Sequence, residues 1–247
     1  MKNLIKAEWL KLSKSSVFKV LLFINLAAAI LYMCTFPRTG YRGFRFGIAY
    51  CFYHTNIALI FTVAFLCEDF SNKSFGKSLL SGYSRKKIFW AKVIIFWLGM
   101  VLLLSSFTCS TTITSSLLNG FGMDLNMENC KNILFFIFCG ILGCTSISSV
   151  MILFSTTIKS KIPTIMVFYL VFFPIEYLKN NYRFYENGDD ILKFLKCTYV
   201  YQVNILYQNE DGIEFGFQPG IFFLVHIVTI IVTLVISLII FEKTEFK

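Results

Sequence analysis

The sequence predicts an all-α membrane protein with six transmembrane helices, and three observations carry that prediction. Hydrophobic residues fill 56% of the 247 positions, charged residues only 15%, and the mean hydropathy is +0.68. A soluble domain has about 45–50% apolar and about 25% charged residues. Six windows are each long and apolar enough to cross a hydrocarbon core, which takes about 17–25 residues. None of them alternates polar and apolar residues as barrel strands do. Backbone in lipid must bond within its own segment, so the windows are helices. The same composition excludes a secreted disulfide scaffold and a disordered chain, and it argues against a soluble enzyme.

The whole chain, 1–247, reads as one transmembrane domain. Residues 1–16 are too polar to cross and suit a short interfacial helix. Ile5, Trp9 and Leu12 share one face, Lys2, Lys6 and Lys14 lie off it, and Glu8 sits beside the apolar stripe. The spans are expected at 17–36, 47–67, 90–112, 132–154, 162–178 and 219–241. Apolar residues run on past Ala27-Ala28-Ala29 to Phe36, so the first span reads as an uncleaved helix, not a signal peptide. The fifth span is the shortest and contains Pro174, which is expected to end or kink it.

Charge sets the orientation, because lysine and arginine collect in cytoplasmic loops. With the N-terminus inside, fifteen of the 23 basic residues and five of the 14 acidic ones fall on the inner side, giving +10 inside and −1 outside. Both termini are therefore expected in the cytoplasm and the chain in the plasma membrane. The net charge of +9 then lies beside anionic headgroups, and no nucleic-acid motif accompanies it. Arg38, Arg42 and Arg45, in the first outer loop, run against the rule.

Two loops are more than connectors. Residues 68–89 form the largest inner loop. Glu68-Asp69 close the second span, and Phe75, Leu79 and Leu80 recur at near-helical spacing beside Lys73 and Lys77. Gly82 then breaks the helix, and Arg85-Lys86-Lys87 opens the third span. An amphipathic helix along the membrane, able to dock on a soluble partner, is one reading; a solvated basic loop is the other. Residues 179–218 form the largest outer piece, with a helix expected at Ile191–Val203 after a turn at Asn187–Asp190, and a second turn at Asn209–Gly212.

Catalytic chemistry is not visible. No phosphate-binding G-x-x-x-x-G-K-[ST] loop and no H-E-x-x-H metal motif occurs. His54 and His226 lie inside spans, where a hydrogen-bonded buried histidine and a gating role are the two readings. Eight cysteines form no C-x-x-C; Cys130 and Cys197 alone fall near the outer face. Asn25 and Asn56 sit at mid-depth, helix three carries a run of serines and threonines that includes Thr112, and Gly140, Cys144 and Ser148 form a small-residue strip on helix four. Contacts between helices are the plainer role for all of these. A translocation path is the other, strongest for asparagine, which is costly to leave unpaired in lipid.

The arrangement resembles the ABC-2 type permeases, in particular the small six-span subunits of bacitracin- and lantibiotic-type transporters. Asn3-Leu4-Ile5-Lys6-Ala7-Glu8-Trp9-Leu10-Lys11-Leu12 looks like that family's N-terminal amphipathic segment. Glu68 to Ser74, followed by Gly82 to Ile88, looks like its cytoplasmic coupling segment between helices two and three. The large outer segment between helices five and six matches as well. The resemblance implies a pair of permeases, identical or paralogous, on two separate ATP-binding cassette ATPases. ATP and Mg would sit on the ATPase, with no cofactor on this chain. It implies coupling through Glu68, Asp69, Phe70, Lys73, Phe75 and Arg85, with a smaller contact at 155–161, and a path through Asn25, Asn56 and Thr112. The implied cargo is a peptide or amphipathic antimicrobial, expelled for self-protection or exported. A stand-alone immunity or scaffold protein, binding a toxin or partner without ATP coupling, is the reading from a different class.

Overall fold

The computed structural model describes residues 1–49, 51–71, 79–124, 126–182 and 219–244. Among these residues every element is helical and none is a strand. In chain order the elements are α1 (Lys2–Lys14), α2 (Ser16–Thr35), α3 (Gly40–Ala49), α4 (Cys51–Thr62), a π-helical turn (Val63–Cys67), α5 (Glu68–Ser71), α6 (Arg85–Asn119), α7 (Met127–Ile158), α8 (Lys161–Tyr182) and α9 (Pro219–Lys243). Four of them, α2, α6, α7 and α9, are long and apolar enough to cross a membrane. The protein is an all-α, membrane-embedded bundle. The helix expected at Ile191–Val203 and both turns around it lie outside the described residues, as do Lys73, Phe75 and Cys197.

The helix ends reflect local chemistry. Ser15 caps α2 by accepting the Phe18 N–H at 3.3 Å, and Asn126 caps α7 by accepting the Asn129 N–H at 2.8 Å. The start of α3 borrows its acceptors from another loop: the Gly40 and Tyr41 N–H groups donate to the carbonyls of Gly120 and Phe121, each at 2.9 Å. Leu79 and Leu80 are helical, and Gly82, at φ +80°, ends that turn. The helix containing Pro174 continues through it to Tyr182 instead of stopping there. Proline removes one backbone donor, which weakens a helix without having to end it.

α6 is the central post, in contact with α1, α2, α3, α7 and α9. Of its apolar stretch 61% is buried, against 28% for α2 and for α9. The outward faces of the peripheral helices carry large apolar side chains: Phe23 and Leu31 on α2, Leu170 on α8 and Leu224 on α9 are all exposed. A surface of that kind is stable against lipid, not water. Inside, Phe61 stacks on Phe96 at 4.9 Å and lies against Phe18 and Phe65. Gly99 makes the room, since a Cβ there would stand 2.7 Å from the Phe61 ring. Both ends of the described chain lie at one end of the bundle, the near end. The loops 36–39 and 120–124 lie at the other, the far end.

At the far end α3 lies directly on α6. Gly40, Gly43 and Gly47 face Ser116, Ser115, Thr111 and Thr108, and a Cβ on Gly47 would come within 2.7 Å of the Thr108 Cα. Small residues on both surfaces let the two backbones approach closely. This stripe precedes or opens the window expected to start at Gly47, so the helix begins seven residues earlier than the hydropathy suggests. The arginines that run against the charge rule lie here against aromatic faces. The Arg45 guanidinium sits 4.6 Å from the Phe136 ring, and that of Arg38 sits 5.2 Å from Phe46.

Candidate functional site

α1 packs on α6, with Leu4, Glu8 and Leu12 on its buried face. The expected stripe of Ile5, Trp9 and Leu12 is therefore displaced: Trp9 is exposed and Glu8 takes the inward position. The physical reason is Lys92. It stands in the first turns of α6, inside a window read as apolar, with 7% of its side chain exposed. Its ammonium donates to Glu8 Oε1 at 2.7 Å and also to Asp69 Oδ2. A lysine at this depth is tolerable only if paired.

Asp69 completes the network. It lies in α5, directly after the π-helical turn, with 2% of its side chain exposed. A π-helical turn inserts an extra residue and so rotates the helix beyond it. Asp69 Oδ1 accepts a second ammonium, that of Lys11, one turn beyond Glu8 on α1. Phe65 lies beneath both cations, 5.3 Å from Lys11 Nζ and 5.8 Å from Lys92 Nζ. Two carboxylates and two ammoniums thus tie three elements together with no net charge. Burial, with repulsion from Lys92, pulls Lys11 from the usual 10.5 down to about 8, against the opposing pull of Glu8 and Glu68.

The far side of the 72–84 segment is also held. Arg85, the first residue of α6, donates from Nη1 to the carbonyls of Glu242 and Thr244 at the C-terminal end of α9, the latter at 2.7 Å. A guanidinium there satisfies orphan carbonyls and complements the helix dipole. Lys86 adds a loose pair with Glu242 at 3.6 Å. Phe70 meets Phe241 edge to face at 6.4 Å, and Phe89 packs on the same ring at 5.6 Å. Of the proposed coupling residues, the structure brings Asp69 into the ion network, sets Glu68 within electrostatic reach of Lys11, and gathers Phe70 and Arg85 at the end of α9.

The residues proposed for a path have three separate surroundings. Asn25 is buried and donates to the Leu103 carbonyl at 2.9 Å and to Ser106 Oγ at 3.3 Å, joining α2 to α6. Asn56 accepts from the Tyr169 hydroxyl at 3.0 Å, joining α4 to α8. Thr112 donates to the Thr108 carbonyl at 2.6 Å and lines a groove of about 330 Å³ between α3, α6 and α7. His226 is buried, with Nδ1 2.7 Å from the Phe222 carbonyl and its ring stacked on Phe222 at 4.1 Å. Cys130 is exposed with a free thiol. The loop between α7 and α8 is only Lys159 and Ser160, with Lys159 in the left-handed conformation at φ 60°.

Sequence reasoning missed Lys11 and Lys92, and gave Glu8 no partner. The signal was present: a lysine inside a hydrophobic window and a glutamate on an apolar stripe are each misplaced alone and sensible together. Among the described residues no three potential ligands gather to hold a metal ion. Fold and site together define a helical membrane protein in which α1 is joined by ion pairs to α5 and α6. No family model matches the chain, and no curated protein matches it in sequence.

Proposed function

We propose that this chain is the permease subunit of an ATP-binding cassette transporter of the ABC-2 type, expelling or exporting a peptide or amphipathic antimicrobial and driven by a separate ATPase. It crosses the plasma membrane six times with both termini in the cytoplasm. The four long helices account for four crossings. Gly40–Ala49 with Cys51–Ser71, which contains the π-helical turn, and α8, about 33 Å at 1.5 Å per residue, account for the other two.

One observation carries the reading: both ends of the 72–84 segment are anchored to the bundle. Asp69 ties one end to α1 and α6, and Arg85 ties the other to α9. A loop held this way transmits a push from a soluble partner to several helices at once. ATP and Mg remain on the ATPase. This chain contributes contacts that differ between two arrangements of the helices, and ATP binding biases the choice. A second permease, identical or paralogous, completes the assembly.

Co-purification from the native cells through a C-terminal tag tests the proposal. The expected result is an ATPase with a phosphate-binding loop, retained by wild type and lost on Phe75→Asp while membrane insertion persists. A preparation without ATPase, from cells that express one, overturns the reading and favours a stand-alone membrane protein. Retained activity after 72–81 is replaced by an unrelated basic loop does the same.

A further inference from the structure

The groove between α3, α6 and α7, which Thr112 also lines, has a shape and a lining that point to a ligand of its own. Its walls are apolar, built from residues such as Phe44, Ile48, Leu104 and Ile141, and its volume of about 330 Å³ is at the lower end of ligand pockets, about 300–1,000 Å³. It opens sideways past Ile113, which is 59% exposed, on the surface that faces lipid. On α6 the lining runs from Leu104 to Ile113, about 13.5 Å along the helix axis.

Polar groups stand where an amphiphile would need them. Thr108 lines the groove and is 92% buried, yet its hydroxyl has no partner among the described residues. An orphaned hydroxyl in that position is costly unless something donates to it or accepts from it. Arg45 comes directly after Phe44 in sequence, and its guanidinium lies on Phe136, which precedes Ile137; both flanking residues line the groove. The Arg45 Nε is buried without a hydrogen-bond partner among the described residues. The glycine contacts of α3 place Arg45 level with Thr111, so Thr108 is about 4.5 Å deeper. Arg45 is one of the arginines that contradict the charge rule as a topology signal.

We propose that the groove is a binding site for one anionic phospholipid of the far-end leaflet. Its phosphate sits on Arg45, a glycerol-ester carbonyl accepts from the Thr108 hydroxyl, and one acyl chain descends toward Leu104. Arginine suits phosphate through its forked donors, and the depth order of charge, hydroxyl and apolar wall is that of a phospholipid. The site does not depend on ATP coupling or on the cargo.

Photocrosslinking tests it. The full chain is placed in phosphatidylcholine nanodiscs doped with phosphatidylglycerol bearing a diazirine on one acyl chain, with the equivalent phosphatidylcholine probe in parallel. Labelling by the anionic probe is expected to concentrate on 104–113 and 137–141. It should fall about fivefold for Arg45→Gln, and should be lost when Ile141→Trp fills the groove. Leu170→Trp, on an exposed face elsewhere, should change nothing. Thr108→Val, which keeps the shape, should lower labelling even if Arg45→Gln folds poorly. Equal labelling by both probes, or labelling spread over α2 and α9, overturns the proposal. So does a groove silent to lipid because a second copy of the chain crosslinks across it.

Discussion

The two ends of α6 are held by opposite means. At the near end Lys92 joins Glu8 and Asp69 in ion pairs between side chains that are almost wholly buried. At the far end Thr108, Thr111 and Ser115 lie against the glycines of α3, a contact between small uncharged residues. Lipid tails are as apolar as leucine, so helices in a membrane gain little by hiding apolar surface from each other. They associate through close approach or through polar pairing, and this helix uses one at each end. Close approach has a single best geometry. Ion pairs hold only while every partner is present and charged, so the near end is the one whose strength a partner or a proton can change.

The largest effect should come from breaking the near end. Lys92→Met leaves Glu8 and Asp69 buried without their shared cation, and should cost about 3–5 kcal/mol in SDS-titration unfolding of the solubilised protein. Lys92→Met combined with Glu8→Gln and Asp69→Asn should recover most of the loss, because the penalty belongs to unpaired charge and not to the missing lysine. If the triple variant is as unstable as the single one, packing around Lys92 holds this end and the comparison fails.

The far end should break by size instead. Gly47→Leu sets a side chain against the backbone of α6, 2.7 Å from the Thr108 Cα, and should cost about 1–3 kcal/mol in the same assay. Gly140→Ala is the sharper control. Its Cβ would meet only the Ile48 side chain, whose Cγ2 can move aside, so its cost should be clearly smaller. Equal costs for the two would mean that α3 shifts freely on α6.

Between the ends, Asn25→Ala removes the side-chain bond to the Leu103 carbonyl and should cost about 0.6 kcal/mol and at most about 1.7 kcal/mol, the average and the maximum for hydrogen bonds between helices in a membrane. That value tests whether Asn25 serves helix contact alone. A variant of near-wild-type stability that loses transport would return Asn25 to the path.

These contrasts also mark what the sequence could reveal. Long apolar runs with few charges announced α2, α6, α7 and α9, because hydropathy reports directly on what lipid accepts. The start of α3 was hidden, since Gly40, Arg42 and Arg45 lower the hydropathy of a helix that packing and aromatic rings stabilise. The sequence placed Asp69 and Arg85 where one span closes and the next opens, but not the partners that the fold gives them. The role of Lys92 could not be read either, because its partners are 84 and 23 positions away and only the fold brings them together. Glu8 looked like a flaw in an amphipathic pattern for the same reason.

Lys11 gives the finest test of the comparison, with the smallest effect. It shares Asp69 with Lys92 but remains 40% exposed, so solvent screens much of its interaction. Its ammonium titrates at about 8 in the folded protein and at 10.5 in the reference state. Below pH 8 both states hold the proton, and the penalty of burying the charge is present in full. Between about 8 and 10.5 the unfolded chain binds more protons than the folded one, so stability should rise slightly with pH across that window and level off above it. A ¹³C-dimethyl-lysine resonance absent from Lys11→Met should titrate near 8, and the same variant should lose the upward slope. If that resonance titrates near 10.5, the Asp69 carboxylate outweighs burial and the second lysine. The near end would then be a tight, fixed tie with no response to protons in the physiological range, and only a bound partner could loosen it.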